Sequence, residues 1–312
     1  MWRGPFTAAV AGLKAPRHSG DELSGNQETF MQIRKVGVLG CGLMGSGIAQ
    51  VSAAAGYTTI VREVNEAALQ KGLARIRTFL DAGVSRGKVA PESRDRTLSN
   101  LSGTITFDDF GGCDLVIEAI TENLDEKRAT YAVLEQRLND AAIVVSNTSS
   151  LCITELAAAT RRPDRFGGLH FFSPVPIMKL VEVIRSLTTS DATYEAVWAF
   201  AESLGKQPIA APDRPGFIVN RLLVPYLLDA IRAYEHGLGT LEDIDKGMTL
   251  GCGHPMGPFT LLDFVGLDTT YYIANIMFEE FREPAYAPPP LLKRMVLAGR
   301  LGRKSGRGFY TY

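Results

Sequence analysis

Residues 33–63 read IRKVGVLGCGLMGSGIAQVSAAAGYTTIVRE, and the rest of the chain is arranged around them. Val36, Val38 and Leu39 form a short apolar run of the kind that makes a buried parallel strand. It ends at Gly40-Cys41-Gly42-Leu43-Met44-Gly45, after which an alanine-rich helical pattern runs to Ala55 and stops at Gly56. A second apolar run follows, closed by Glu63, 21 residues after Gly42. A lone G-x-G-x-x-G also marks ordinary turns. Strand, glycine loop, helix, strand and acid in this order make the fingerprint of a dinucleotide-binding unit. Gly40 permits the tight turn, Gly42 lets the backbone approach a pyrophosphate, and Gly45 lets helix and strand pack closely. Leu43 and Met44 begin the helix, whose free N–H groups and partial positive charge suit phosphate oxygens. Glu63 is placed to accept hydrogen bonds from the adenosine ribose and to repel a 2′-phosphate, which favours NAD over NADP. Arg62 would suit a 2′-phosphate, but neighbouring strand residues point to opposite faces, so it is expected to face away.

Composition narrows the class. The 312 residues are enough for two domains with a substantial core. Basic and acidic residues, 33 against 34, nearly cancel, so nothing suggests binding to nucleic acid or to a membrane surface. Cys41, Cys113, Cys152 and Cys252 lie far apart and never as C-x-x-C. That spacing argues against a zinc site or disulfide scaffold and fits a reducing compartment. No metal site is expected, and no stretch approaches the ~20 continuous apolar residues of a membrane span. Residues 1–30 lack periodicity and read as a flexible extension before Met31. Arg3, Lys14 and Arg17, with no acid before Asp21, keep a mitochondrial transit peptide open. A cytoplasmic location is expected, or the mitochondrial matrix if those residues are such a signal.

Beyond Glu63, residues 65–81 and 91–100 read as two helices around the basic turn Ser85-Arg86-Gly87-Lys88. Lys88 in that turn is a candidate contact for a phosphorylated ligand, against the plainer reading of a solvated loop. Ile105 is expected in a short strand, Leu115 to Ala119 in a buried one, Asn123 to Leu138 in an amphipathic helix and Ala142 to Ser146 in another buried strand. Strands alternating with helices predict an α/β fold, a Rossmann-type doubly wound and mainly parallel sheet spanning residues 31–214. Ligands of such sheets sit at the carboxyl ends of the strands. Past the break at Ala211-Pro212-Asp213-Arg214-Pro215-Gly216, a second, all-helical domain is expected over 215–312. Its candidate helices are Phe217 to Glu235, Leu241 to Leu250, Phe259 to Phe281 and Leu291 to Ala298.

His18, His170, His236 and His254 are the only histidines, and of these His170 alone ends a predicted sheet strand, Phe166 to His170. Glu182 lies in Lys179-Leu180-Val181-Glu182-Val183-Ile184, a strand otherwise apolar on both faces. A carboxylate buried there costs several kcal/mol unless partnered. An arginine or lysine partner would be structural. A His170 partner would instead give an imidazole held in one tautomer as a general base, worth roughly 10²- to 10⁴-fold in rate. Beside a nicotinamide, such a base takes the proton from a hydroxyl while hydride leaves the same carbon.

The stretches GCGLMGSGIAQ, DLVIEAITEN, SNTSSLCITELA, LHFFSPVPIMKLVEVI, PGFIVNRLL, HPMGPFTLLDFVGLD and GRLGRKSGRGFY resemble, in order, the 3-hydroxyacyl-CoA dehydrogenase family, closest to its bacterial short-chain 3-hydroxybutyryl-CoA members. The resemblance runs from Met31 to Tyr312. It implies that His170 is the catalytic base and Glu182 its orienting partner. It further implies that Ser149 and Asn220 hydrogen-bond the substrate's 3-oxygen, and that Ala119, Glu122, Lys127, Ser149 and Lys304 approach the cofactor. Without it, Ser149 and Asn220 read equally as turn and cap residues. Family members usually carry asparagine where this chain has Ser173, a shorter side chain that still donates and accepts at the position where the resemblance implies a cofactor contact. An acyl-CoA substrate and a homodimer through the helical domain are also implied. Phe217 to Leu228 and Phe259 to Phe281 are more apolar than an exposed helical pair needs. Two rivals stand beside this reading: a dehydrogenase of a free 3-hydroxy acid, and a catalytically silent, crystallin-like NAD-binding protein.

Overall fold

The computed structural model describes residues 32–312; the expectations for residues 1–30 lie outside the described residues. The chain opens with β1 (Lys35–Leu39), α1 (Leu43–Ala54) and β2 (Thr58–Arg62). An arm of two helices follows, α2 (Glu66–Ser85) and α3 (Pro91–Ser99). Asn65 starts α2 by accepting a hydrogen bond from Ala68 N at 2.9 Å, and Pro91 occupies the first turn of α3. Next come β3 (Leu101–Thr104), β4 (Leu115–Glu118), α4 (Leu124–Leu134), β5 (Ile143–Ser146) and α5 (Ile153–Ala158). The sheet is completed by β6 (Phe166–Phe171), β7 (Leu180–Arg185), α6 (Asp191–Ser203) and β8 (Gln207–Pro212).

Strand order is β3-β2-β1-β4-β5-β6-β7-β8, and every neighbouring pair is parallel except β6 with β7. The order reverses between β1 and β4, the switch point where a doubly wound sheet opens a crevice for a ligand. Successive residues feed opposite faces of the sheet. Val36, Leu115, Ile117, Ile143 and Val145 pack with α1, α2 and α6, whereas Leu39, Val116, Val144 and Phe166 pack with α4 and α5. With helices covering both faces, the central strands are mostly apolar, with Glu118, Ser146 and His170 at or near their carboxyl ends.

From Val219 the chain is helical: α7 (Val219–Glu235), α8 (Leu241–Cys252), α9 (Pro258–Val265), α10 (Leu267–Phe281) and α11 (Pro290–Leu297). These helices share a separate core that includes Leu227, Leu228, Phe259, Leu262, Ala274, Met277 and Leu292. Three expectations are corrected. Residues 259–281 are two helices, not one, because Gly266 turns the backbone to φ +103° and a Cβ there would lie 3.1 Å from Lys304 Nζ. The amphipathic helix expected to reach Leu138 ends at Leu134. Ile105 is exposed beyond the end of β3. Among the described residues, no helix is long and apolar enough to cross a membrane.

Candidate active site

The glycine loop meets its steric demands closely. Gly40 has φ +93°, and a Cβ on it would lie 2.6 Å from the Ala119 carbonyl oxygen. A Cβ on Gly45 would fall 1.9 Å from the Gly40 carbonyl oxygen, so α1 can approach β1 only through glycine. At Gly42 the same construction meets nothing within 4 Å, and no side chain caps the start of α1. Open space in front of uncapped N–H groups suits a pyrophosphate. Glu63 accepts Cys41 N at 2.8 Å and Val64 N at 2.9 Å, one on each oxygen. Each oxygen keeps a lone pair, enough to accept a ribose hydroxyl. The Arg62 guanidinium lies 3.8 Å over the Phe107 ring, and burial, only partly offset by Glu63, lowers its pKa. Leu43 is exposed at the mouth of the loop and Met44 packs partly against the core.

Glu182 and His170 stand directly opposite each other in the antiparallel β6–β7 pair. His170 Nδ1 lies 2.7 Å from Glu182 Oε2, so the buried acid has a histidine for its partner. The other oxygen, Oε1, accepts the backbone N–H groups of Ile218 and Val219, each at 3.0 Å, where α7 begins. One carboxylate thus holds the imidazole and the entry to the helical region together. The ring sits between Phe172 at 4.6 Å and Phe217 at 5.5 Å, centroid to centroid. Asn220 follows in the first turn of α7, half-buried, and its side-chain amide has no partner among the described residues.

Across the crevice, Glu122 organises the turn after β5. Its Oε1 accepts Thr148 Oγ1 at 2.5 Å, Ser149 N at 2.9 Å and Ser150 Oγ at 2.9 Å. Burial pushes the Glu122 carboxyl up, but Lys127 and then these three donors outweigh it and hold the pKa below the ordinary carboxylate value. The Ser149 hydroxyl is left without a partner among the described residues. Asn147 Oδ1 accepts Phe171 N at 2.9 Å, which ties the turn to the end of β6 beside His170.

The remaining candidates are dispersed. Lys127 is buried between Glu118 and Glu122 rather than open to the crevice. Lys304 is half-exposed and paired with Asp268 at 2.6 Å. Ser173 is exposed, followed by a cis peptide to Pro174. Lys88 is exposed in the α2–α3 turn and makes no hydrogen bond to any other candidate. Sequence reasoning missed Asp213 and Tyr272. Asp213, read only as part of the interdomain break, accepts Ile153 N and Thr154 N at 2.7 Å each and so caps α5. The Tyr272 hydroxyl, from α10, donates to the Glu122 carbonyl. Hydrogen bonding over such sequence separations leaves no local signal.

A Rossmann-type sheet with an open glycine loop and an acid at the end of β2 belongs to an NAD-dependent oxidoreductase. Residues 35–214 match the family model described as the NAD binding domain of 3-hydroxyacyl-CoA dehydrogenase, and residues 216–312 match that of its C-terminal domain. The chain belongs to the 3-hydroxyacyl-CoA dehydrogenase family. It is 52% identical over 282 residues to a 3-hydroxybutyryl-CoA dehydrogenase of Mycobacterium tuberculosis, covering 90% of this chain and 99% of that one. It is 47% identical to the human mitochondrial hydroxyacyl-coenzyme A dehydrogenase, covering 90% and 91%. Among solved structures, the (S)-3-hydroxybutyryl-CoA dehydrogenase of Ralstonia eutropha superposes with a TM-score of 0.86 at 45% identity, covering 90% and 99%.

Proposed function

We propose that this enzyme reversibly oxidises (3S)-3-hydroxyacyl-CoA to 3-oxoacyl-CoA, with 3-hydroxybutyryl-CoA as the expected substrate. The observation that carries the mechanism is the His170–Glu182 pair at 2.7 Å. A carboxylate accepting from Nδ1–H leaves Nε2 as the basic nitrogen, held in one orientation. NAD, when bound, supplies the hydride acceptor. His170 removes the hydroxyl proton during oxidation and, in protonated form, returns one to the developing alkoxide in reduction. Ser149 and Asn220, whose side chains have no partner among the described residues, hydrogen-bond the 3-oxygen. The bound cofactor is met by the Gly40–Gly45 loop with Leu43 and Met44, by Glu63 at the ribose, and by Ala119, Glu122, Ser173 and Lys304 farther along. Lys88 is assigned to the substrate's phosphates.

The purified protein is expected to turn over acetoacetyl-CoA with NADH. If His170→Gln keeps that rate to within about twofold, the base assignment fails, since a general base is worth roughly 10²-fold or more. Activity on free 3-hydroxybutyrate equal to that on its CoA thioester would instead favour the free-acid rival.

The same reading makes the protein a homodimer through its helical region, residues 215–312. An apolar cleft of about 480 Å³ opens along α7 beside Ile218, Leu222, Tyr226, His254 and Met256, and Leu222 is 73% exposed. Apolar surface of this kind marks an interaction face. Sedimentation showing only monomer at micromolar concentration would refute the dimer. A reducing compartment suits the four free cysteines; the cytoplasm is expected, and a fluorescent fusion with and without residues 1–30 tests it against the mitochondrial matrix.

A further inference from the structure

Arg62 ends β2, half-buried, and its side chain makes no hydrogen bond and no ion pair among the described residues; its Nε is buried without a partner. What the side chain touches is a ring: the guanidinium carbon lies 3.8 Å from the Phe107 centroid. The carboxylate acting on it is Glu63, the next residue, whose oxygens already accept Cys41 N and Val64 N. Partial burial of a charge is costly, and one cation–π contact offsets only part of that cost. The chain therefore supports one side of this cation and builds no acceptor for the rest. The Arg62 carbonyl accepts Gly40 N at 2.9 Å, which sets the residue against the glycine loop. Glu63 N donates to the Thr104 carbonyl at 3.1 Å, so Ile105 follows beside the acid. Val64 and Ile105, 72% and 45% exposed, leave apolar surface open at this corner of the sheet.

We propose that Arg62, backed by Phe107, is the face on which the adenine of NAD stacks. The stack rests on the assignment of Glu63 to the adenosine ribose. Adenine is bonded to C1′ of that ribose, next to the carbon that bears the 2′-hydroxyl, so a ribose held by Glu63 brings the base to the same corner. The base offers what the corner lacks: an electron-rich face for a delocalised cation, and a flat surface to cover Val64 and Ile105. Phe107 already restrains the guanidinium, so little side-chain freedom is left to lose when the base arrives. A 2′-phosphate would use the N–H edge of the same group instead of its face. Glu63 beside it repels that phosphate, which leaves the face as the part to be used.

Binding to the full chain, measured by NADH fluorescence and by titration calorimetry, tests the stack without reference to turnover. Arg62→Leu keeps an apolar side chain and removes the plane and the charge. NADH and ADP-ribose, which both carry adenine, should bind about tenfold more weakly than to wild type. Reduced nicotinamide mononucleotide, which has no adenosine, should bind within about twofold of wild type. Arg62→Lys should stay about fivefold weaker for NADH, because an ammonium keeps the charge but not the plane. NADH affinity within about twofold of wild type in Arg62→Leu, or fully restored in Arg62→Lys, overturns the proposal. An equal loss for the mononucleotide does the same, since it would mean that the glycine loop has moved. A loss confined to NADPH would make Arg62 a 2′-phosphate contact and also overturn it. Should Arg62→Leu not fold, Phe107→Leu replaces it: NADH and ADP-ribose should weaken about threefold with the mononucleotide unaffected, and no change for any of the three rejects the stack. Glu63→Ala checks the ribose assignment by itself, and should weaken NADH by about tenfold or more. If it does not, that assignment fails and the stack falls with it. If it does while Arg62→Leu binds NADH as wild type, the ribose assignment stands and the stack alone is rejected.

Discussion

Glu118 at the end of β4 and Glu182 in β7 are both fully buried, yet their surroundings differ in kind. Glu118 faces a permanent cation, Lys127, and three further donors, so every direction around it is filled. Glu182 faces two backbone N–H groups at the start of α7 and an imidazole, whose charge changes with its proton. A helix N-terminus offers only about half a unit of positive charge, so Glu182 is stabilised without a fixed counter-ion. The first arrangement can only hold; the second holds one side of a histidine and leaves its other nitrogen available. Burial of an acid therefore identifies a position under constraint, while the nature of the partner separates scaffold from chemistry.

Substituting one member of each pair tests that contrast. His170→Gln should lower kcat by about 10²- to 10⁴-fold with little change in NADH affinity or thermal stability. Glu118→Gln should do the reverse in kind, leaving Lys127 short of its main counter-charge and costing about 3–5 kcal/mol of stability by denaturant unfolding. If His170→Gln destabilised the fold as much as Glu118→Gln, both pairs would be structural and the contrast would collapse. A smaller effect sharpens the functional side. Asn220→Ala should cost about 1–3 kcal/mol in kcat/KM, the range for one hydrogen-bond donor to a developing oxyanion, with the melting temperature unchanged.

The two pairs were not equally legible in the amino-acid sequence. Glu182 announces itself because it interrupts an apolar strand, and His170 ends the preceding strand. Two consecutive antiparallel strands then bring them into register. The glycine loop is legible for a similar reason, since Gly40 and Gly45 answer local steric demands. Lys127 is different. It lies in a charged helix, Leu124–Leu134, where a lysine reads as solvated, and only the packing of α4 on the sheet buries it. The family resemblance implied that it approaches the cofactor; within the chain it is held by two carboxylates. The break at Gly266 was hidden as well, because residues 259–281 are apolar on either side of it and the interruption is a backbone turn.

The smallest expected effect concerns Glu122, midway between the two cases: partly open to the crevice, yet held by a lysine. Its pKa is depressed, because Lys127 and the turn donors outweigh burial. The folded state therefore binds that proton less readily than the unfolded chain does. Stability from this group is full above the unfolded carboxylate value and is lost as pH falls through the folded one. Unfolding free energies measured from neutral to acid pH should consequently fall on the acid side, and fall less steeply in Glu122→Gln, which has no proton to take up. The difference between the two curves isolates this one carboxyl from the other acids that titrate in the same range. A Glu122→Gln curve parallel to wild type throughout would mean that Lys127 does not stabilise the ionised form. Glu122 would then belong with the fully saturated Glu118 only in appearance, its hydrogen bonds made without the charge that was supposed to secure them.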